Sequence, residues 1–449
     1  MLSLAYLLLI DNQFSGTIPA NIDALTSLYD LELGSNKFTG NIPAAITNLT
    51  GLNTLFLDYN KLNGSIPANM NNLTQLVQLD FSGNGLTGTI PTGIWDLINL
   101  FSLNLYGNKL QGQIPSSITN LHSLKIISLG GNQLSGSIPD NIGDLHNLNF
   151  LTLSGNKLSG KIPAGIGNLS NLNLLDIGSN RLKGKIPPAI GSLHNLTVLN
   201  LSDNRLTGSI PKQIGNLSNL ALLALGVNFL NNKIPAELAN LPSSCYVSIS
   251  SNKFTFSGMD ILSHFTNSFY ADQDTTLPVI NEDGVLSVAA DDANNTNVYT
   301  WILNFDTDHP VSVLTGDAHY TPTTPGTYYL NITNPSAPLL TLSSTWIVQS
   351  ALTAKSITPA ENMVTAKTGN NISLTIFPNP AATSAILNIT NNRKDVEIII
   401  SDINGKMLWQ QKNVNANQVK LPVEKFAGGI YYVTVKANNE TKTLKLVKQ

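Results

Sequence analysis

The chain has 449 residues, of which 12% are charged, with 25 Lys+Arg against 28 Asp+Glu and a net charge of −3. That length exceeds one ordinary globular core, the near-neutral balance gives no footing for nucleic acid, and such low charge with abundant apolar residues does not suit a disordered chain. Charge is nonetheless zoned: residues 1–252 balance at 12 against 12, residues 253–370 carry 3 against 11, and residues 371–449 carry 10 against 5. Cys245 is the single cysteine, so an intrachain disulfide is excluded, and it reads as a small buried apolar residue. No run of 18 apolar residues is present to cross a membrane as a helix.

Residues 1–10 are apolar but lack basic residues and flow straight into a repeat, so they do not read as a signal peptide. Asparagine then recurs every 24 residues, from Asn12 and Asn36 through Asn156 to Asn252, and an Ile-Pro pair follows six residues after each of the first ten. In one copy, residues 148–171, Leu148, Leu151 and Leu153 have the spacing of a short strand with one apolar side. Stacked coils would pair such strands into one parallel sheet, with Asn156 and its copies bonding the backbone where the chain leaves the strand. Gly160 permits a positive φ, Pro163 fixes φ on the return side, and Ile166 and Leu169 close the core. One coil cannot bury its own apolar face, so the stack is the folding unit.

This pattern resembles the leucine-rich-repeat family, in its 24-residue class with the G-x-I-P signature of plant receptor-type proteins. The resemblance covers about ten repeats over residues 1–256, and implies a solenoid of the α/β class with a parallel sheet on its concave face. The last repeats drift, with Asn232 in the glycine position and Leu238 in the isoleucine position. Residues 257–270 are expected to cap the core with Ile261, Leu262, Phe265 and Phe269. Leu4, Leu7 and Leu9 already belong to a full repeat, so a natural N-terminus with a cap and an export signal is expected upstream.

From 271 to 350 short alternating stretches split by turn residues predict strands at 286–289, 297–303, 311–314 and 327–333. Trp301 and the run Pro325-Gly326-Thr327-Tyr328-Tyr329 resemble an immunoglobulin-like sandwich without its cysteine pair. Residues 351–370 lack an apolar period and read as a linker. Residues 371–449 predict a second small all-β sandwich of about seven strands, with Asn404-Gly405 as a hairpin turn.

Phe377-Pro378-Asn379-Pro380, then 401–408 (SDINGKML), 427–432 (AGGIYY) and 442–447 (KTLKLV), in this order, resemble the sorting domain of the type IX secretion system of Bacteroidetes. The resemblance implies export across the outer membrane by that machinery, then removal of the domain as the cargo is anchored to surface lipopolysaccharide or released. The protein would be secreted or held on the outer-membrane exterior. By that resemblance Phe377, Pro378, Asn379, Pro380, Asn404, Gly405, Gly429, Tyr431 and Lys445 carry recognition.

No catalytic constellation is legible, so the chain reads as a non-enzyme without cofactor or metal. His122, His146 and His194 share a repeat position with Thr50, Thr74, Ser170 and Ser218, which marks a tolerant surface position. The acidic group Asp272, Asp274, Glu282, Asp283, Asp291, Asp292, Asp306 and Asp308 fits no EF-hand spacing and reads as a solvated face. The outward positions of the repeat strands are free of packing duty. They hold Asp30, Glu32, Thr54, Phe56, Asp58, Tyr59, Gln78, Asp80, Phe101, Asn104, Tyr106, Phe150, Thr152, Asp176 and Asn200. Aromatics beside carboxylates suit a groove for a protein or glycan ligand. The expected role is therefore a displayed or released interaction protein. The alternatives are a spacer in the cell coat and a fragment of a larger surface enzyme.

Overall fold

The computed structural model describes residues 4–349, apart from short stretches between 272 and 295 and residue 336. Beyond them it describes 373–377, 385–390, 396–402, 406–414, 418–427, 429–437 and 440–448. The chain divides into two compact units, residues 1–354 and 355–449.

The first unit is built on a twelve-stranded parallel sheet running from Tyr6–Leu8 to Asn267–Phe269. Each repeat gives it a triplet, and through residue 248 neighbouring strands pair one full repeat apart, as in Leu151 with Leu175 and Leu175 with Leu199. The central residue of each triplet points into the coil, where Leu151, Leu175, Leu199 and Leu223 are fully buried. A single coil buries Leu148, Leu151, Leu153, Leu158, Ile162, Ile166 and Leu169, each contributing about 1.5–3 kcal/mol. On the convex side Pro163, at φ −67° and ψ 138°, turns the chain into the 3-10 segment Ala164–Asn168. The same construction recurs along the solenoid, and no α-helix occurs among the described residues.

The asparagine ladder holds successive coils together. The Asn156 side chain donates to the carbonyls of Leu129 (2.9 Å), Leu153 (3.0 Å) and Ser154 (3.4 Å), while its oxygen accepts the Leu134 N–H at 2.9 Å. Asn60, Asn108, Asn132, Asn204 and Asn228 repeat this set. The glycine four positions on adopts a positive φ, and Asn232, which replaces it in one repeat, does the same at 67°. Cys245 is buried, and burial pushes its thiol up to about 11.

Residues 257–270 do more than cap the core. Leu262 and Phe265 are buried and Ile261 is partly buried. Phe269 is exposed, contrary to expectation, because 267–269 forms a twelfth strand and strand alternation turns Phe269 outward; Tyr270 is buried instead. Farther along, strands Val298–Leu303, Ser312–Thr315, Gly326–Thr333 and Thr341–Ser344 pair antiparallel, beside a hairpin of Val279–Glu282 with Val285–Val288. Trp301 is fully buried, and Tyr320 stacks on it at 5.8 Å.

The second unit has seven strands in two antiparallel sheets among its described residues. Ser373–Phe377, Ala385–Thr390 and Gln418–Leu421 form one sheet. Val396–Asp402, Met407–Val414, Gly429–Ala437 and Glu440–Lys448 form the other. Leu387, Ile389, Ile398, Ile400, Val433 and Leu446 fill its core.

Replacing Asn156 by alanine leaves the buried Leu134 N–H without its acceptor, while the carbonyls of Leu129, Leu153 and Ser154 keep Asn132, Asn180 and the Gly131 N–H. Asn156→Ala is therefore expected to destabilise the solenoid by about 2 kcal/mol, against less than about 1 kcal/mol for Asn12→Ala at the exposed end of the ladder. Urea midpoints of the two variants check this, and equal midpoints would remove the ladder from its central place.

Candidate functional site on the concave sheet

Alternation within each short strand turns its first and third residues away from the core, and the constant repeat length stacks them into columns; Thr54, expected on this surface, is buried at 6% exposure. One column runs Glu32, Phe56, Asp80, Asn104, Ser128 and Thr152, each paired with the next. The other runs Tyr6, Asp30, Thr54, Gln78, Ser102, Ile126 and Phe150. Of the expected site residues, Asp30, Glu32, Phe56, Asp80, Asn104 and Phe150 thus fall on one continuous surface. Asp80, Ser102, Asn104, Ile126, Ser128, Phe150 and Thr152 line a shallow depression of about 420 Å³.

Three residues beyond the strands reach the same side. Asp58 packs its carboxylate against Gly34, Tyr59 lays its ring over Gly83, and Tyr106 lies against Gly130 and Gly131. Each glycine leaves the slot that its neighbour's side chain occupies. Tyr59 sits at φ 44° and is 61% exposed.

Phe101 departs from the expectation. It precedes the strand Ser102–Asn104, so Ser102 takes the outward position and Phe101 stands at the sheet's margin with the Lys125 ammonium 5.1 Å from its ring centre. A column that the sequence reading misses continues from Ile126 and Phe150 through Leu174, Val198 and Leu222 to Tyr246. Its signal is the repeat spacing counted on from Phe150.

The polar residues divide by duty. Asp80 accepts the Asn104 side-chain amide at 2.7 Å and the Ser82 N–H at 2.8 Å, and Asp176 accepts the side-chain amide of Asn200 at 2.8 Å. These carboxylates brace the turn that follows each strand. Among the described residues Asp30 and Glu32 lack such support, and Asp58 is eased by its own backbone N–H. Partial burial raises the Asp30 carboxyl, and one of its oxygens is buried without a hydrogen-bond partner. Partial burial and the Asp30 charge raise Glu32. Asp58 is pushed up to about 6, by burial first and then by the charge of Asp80, with smaller effects of Asp11 and Glu32. No lysine or arginine forms an ion pair with these groups among the described residues.

In the second unit Phe377 ends a strand paired at Ile386, Gly429 opens one, and Lys445 pairs with Tyr432. The strands of Phe377 and Lys445 belong to different sheets. The Tyr431 hydroxyl donates to the Ala427 carbonyl at 2.8 Å, which gives that residue a structural role. Pro378, Asn379, Pro380, Asn404 and Gly405 lie outside the described residues, as do Asp272, Asp283, Asp291 and Asp292 of the acidic group.

The profile of the secretion system C-terminal sorting domain matches residues 375–449. That of a leucine-rich repeat region matches 128–252, and that of the single leucine-rich repeat matches 75–97 and 99–121. The chain thus carries leucine-rich repeats followed by a C-terminal domain that matches secretion-system sorting domains. The tail marks the repeat protein for secretion or attachment at the cell surface, and no helix among the described residues is long and apolar enough to cross a membrane. Among solved structures the repeat protein is similar to PEPR1 in its complex with AtPEP1, at 35% identity over 61% of this chain and 42% of that one, with a TM-score of 0.53. It is similar to the Arabidopsis receptor kinase HAESA in complex with the peptide hormone IDA and the co-receptor SERK1, at 33% identity over 57% of this chain and 46% of that one, with a TM-score of 0.53. The ectodomain of the Arabidopsis receptor kinase GASSHO1/SCHENGEN3 shares 33% identity over 62% of this chain and 39% of its own, with a TM-score of 0.50. The repeat protein spans less than half the length of each of these three. No curated protein matches it.

Folding raises the Asp58 carboxyl from an ordinary 3.8 to about 6, so its contribution to stability is fully present below the lower value and is lost as pH rises through the upper. Asp58→Asn should therefore raise stability at pH 7.5 by up to about 1 kcal/mol, after discounting for solvent at this half-open site. Near pH 4 the variant should differ little from the parent. Thermal melts at the two pH values test this, and a variant indistinguishable at pH 7.5 would show that the carboxylates do not strain the sheet.

Proposed function

We propose that this protein is exported by its tail and binds a protein ligand, an extended peptide segment, along the concave sheet. The observation that carries the reading is the register itself. It holds carboxylates without a cationic partner among the described residues (Asp30, Glu32, Asp58) and exposed rings (Tyr59, Tyr106, Phe150) on one surface open to a ligand. The carboxylates suit a cationic group on the ligand, and the column from Ile126 to Tyr246 suits apolar side chains farther along. Peptide hormone recognition by HAESA, a receptor of the same repeat class, supports a peptide over a glycan. The role is binding rather than catalysis. Residues 271–350 serve as an immunoglobulin-like domain, a reading that rests on buried Trp301 and on the Tyr328 hydroxyl bonded to the Thr324 carbonyl. The tail engages the type IX machinery and is removed when the cargo is anchored to lipopolysaccharide or released.

The full chain should bind a subset of a peptide array drawn from surface proteins. The triple variant Tyr59→Ala, Tyr106→Ala, Phe150→Ala should lose at least about tenfold in affinity for the peptides selected. Lowering pH from 7.5 to 5 should weaken binding of lysine- or arginine-containing peptides as Asp58 takes up its proton. Binding to a glycan array with no peptide hits would replace the ligand class. Display at the surface without saturable binding of either kind would favour the coat-spacer role.

A further inference from the structure

The flank of the solenoid carries a second, shorter parallel ladder formed by Ser159–Gly160, Arg181–Gly184, Arg205–Gly208 and Phe229–Leu230. Its strands pair at a shorter offset than those of the concave sheet, so Ser159 faces Arg181 and Lys183 faces Arg205. Leu182 and Leu206 point inward, and Arg181, Lys183 and Arg205 are exposed. Lys157 precedes the ladder, and Lys161 and Lys185 follow the glycines; all three are exposed. Residues 157–205 thus hold six of the twelve Lys and Arg of residues 1–252, with only Asp176 and Asp203 as acids.

The arrangement works against the fold. Lys183 and Arg205 are direct cross-strand partners, at a strand spacing of roughly 4.8 Å, and like charges so placed are destabilising. No carboxylate lies within ion-pair distance of any of the six among the described residues. In the two preceding coils neutral residues, Gln111, Gln113, Gln133, Ser135 and Ser137, stand at all of the equivalent places but that of Lys109. Two of the cations are also held. The Lys161 stem lies 3.3 Å from where a Cβ would stand on Gly184, and the Lys185 stem 3.2 Å from the same point on Gly208, so each lies across the glycine of the next coil. Both glycines have positive φ, 81° and 78°.

We propose that this cationic ladder binds an acidic polysaccharide, a linear chain bearing carboxylate or sulfate groups, at the cell exterior. Cations fixed at regular steps on a stiff surface match a polyanion with a regular repeat, and little conformational freedom is lost on binding. The residues between the cations, such as half-buried Ser159 and exposed Thr207, offer neither the apolar wedge a lipid surface requires nor the aromatic platforms on which bases stack. The nearest exposed ring, Phe229, is covered by the Lys253 ammonium at 5.3 Å.

The test uses the full chain with alginate as the polyuronate, dextran sulfate as the sulfated chain, and neutral dextran as the blank. Lys161→Gln, Lys183→Gln, Lys185→Gln together should weaken alginate or dextran sulfate binding roughly tenfold and flatten its salt dependence. The charge-matched control Lys125→Gln, Lys212→Gln, Lys425→Gln, away from the flank, should change it by less than about twofold, and replacing the same three flank lysines by arginine should retain it. Equal losses in both glutamine triples, no binding to either polyanion by the parent, or duplex DNA competing as well as the polysaccharide would each overturn the proposal. The concave variant Tyr59→Ala, Tyr106→Ala, Phe150→Ala should keep polyanion binding, which separates this surface from the peptide groove.

Discussion

Everything in the solenoid depends on one buried amide per coil. An asparagine side chain has two N–H groups and a carbonyl, and in this position all are engaged with backbone of its own coil and of the preceding one. No other side chain of that length both donates and accepts across the same gap. Asn156 donates back to the Leu129 carbonyl and accepts from the Leu134 N–H, both in the preceding coil, so the bond set fixes the strand end of one coil against that of the coil before it. Gln273 makes the corresponding bonds, to the Ile249 and Tyr270 carbonyls and from the Phe254 N–H, across a shorter last coil. The alignment of outward residues into columns is a consequence of that fixed register.

The period is legible in the sequence because the buried positions are chemically narrow: leucine or isoleucine inside, asparagine at the turn, glycine where φ is positive. What lies outward is legible only in part. Phe101 reads as a groove residue because its aromatic character stands out, whereas the alternation starts one residue later and exposes Ser102. Leu174, Val198 and Leu222 escape notice because an apolar residue in a repeat is read first as core. The facing of Lys183 and Arg205 is out of reach of periodicity. The flanking ladder slants across the coils, so Lys183 meets Arg205 short of a full repeat, whereas Ser102 meets Ile126 at the repeat length. Only the folded backbone gives that slant. Phe269 reads as a lid because the repeat motif ends before it, although the sheet continues through it.

Carboxylates on the concave sheet show how one scaffold sorts similar residues into different duties. Asp80 and Asp176 have an asparagine in the next coil and a backbone N–H two positions on, so their charge is satisfied within the protein. Asp58 lies against a glycine and near Asp80, and the fold pushes its proton affinity up. Asp58 and Asp80 belong to successive coils and differ chiefly in standing just beyond the strand or within it. Glu32 shares the strand position of Asp80 but faces Phe56 instead of an asparagine, so the residue across in the next coil also decides whether a carboxylate braces a turn or remains available to a ligand.

A charge balance of 12 against 12 over residues 1–252 suggests an inert surface. The geometry gives the opposite result, because the balance is a cancellation between faces. Asp30, Glu32, Asp58 and Asp80 gather on the concave sheet toward one end, and Lys157 to Arg205 gather on the flank toward the other. The solenoid tolerates this because its stability is drawn from leucine stacking and the asparagine ladder, neither of which involves an outward residue. Local repulsion of a few tenths to about 1 kcal/mol per pair is small beside the burial of seven apolar side chains per coil. A globular domain of this low charge content would have to spread its cations to keep them paired. Here the fold is fixed by the inward residues alone, so outward positions are free to concentrate charge of one sign where a ligand of the other sign can use it.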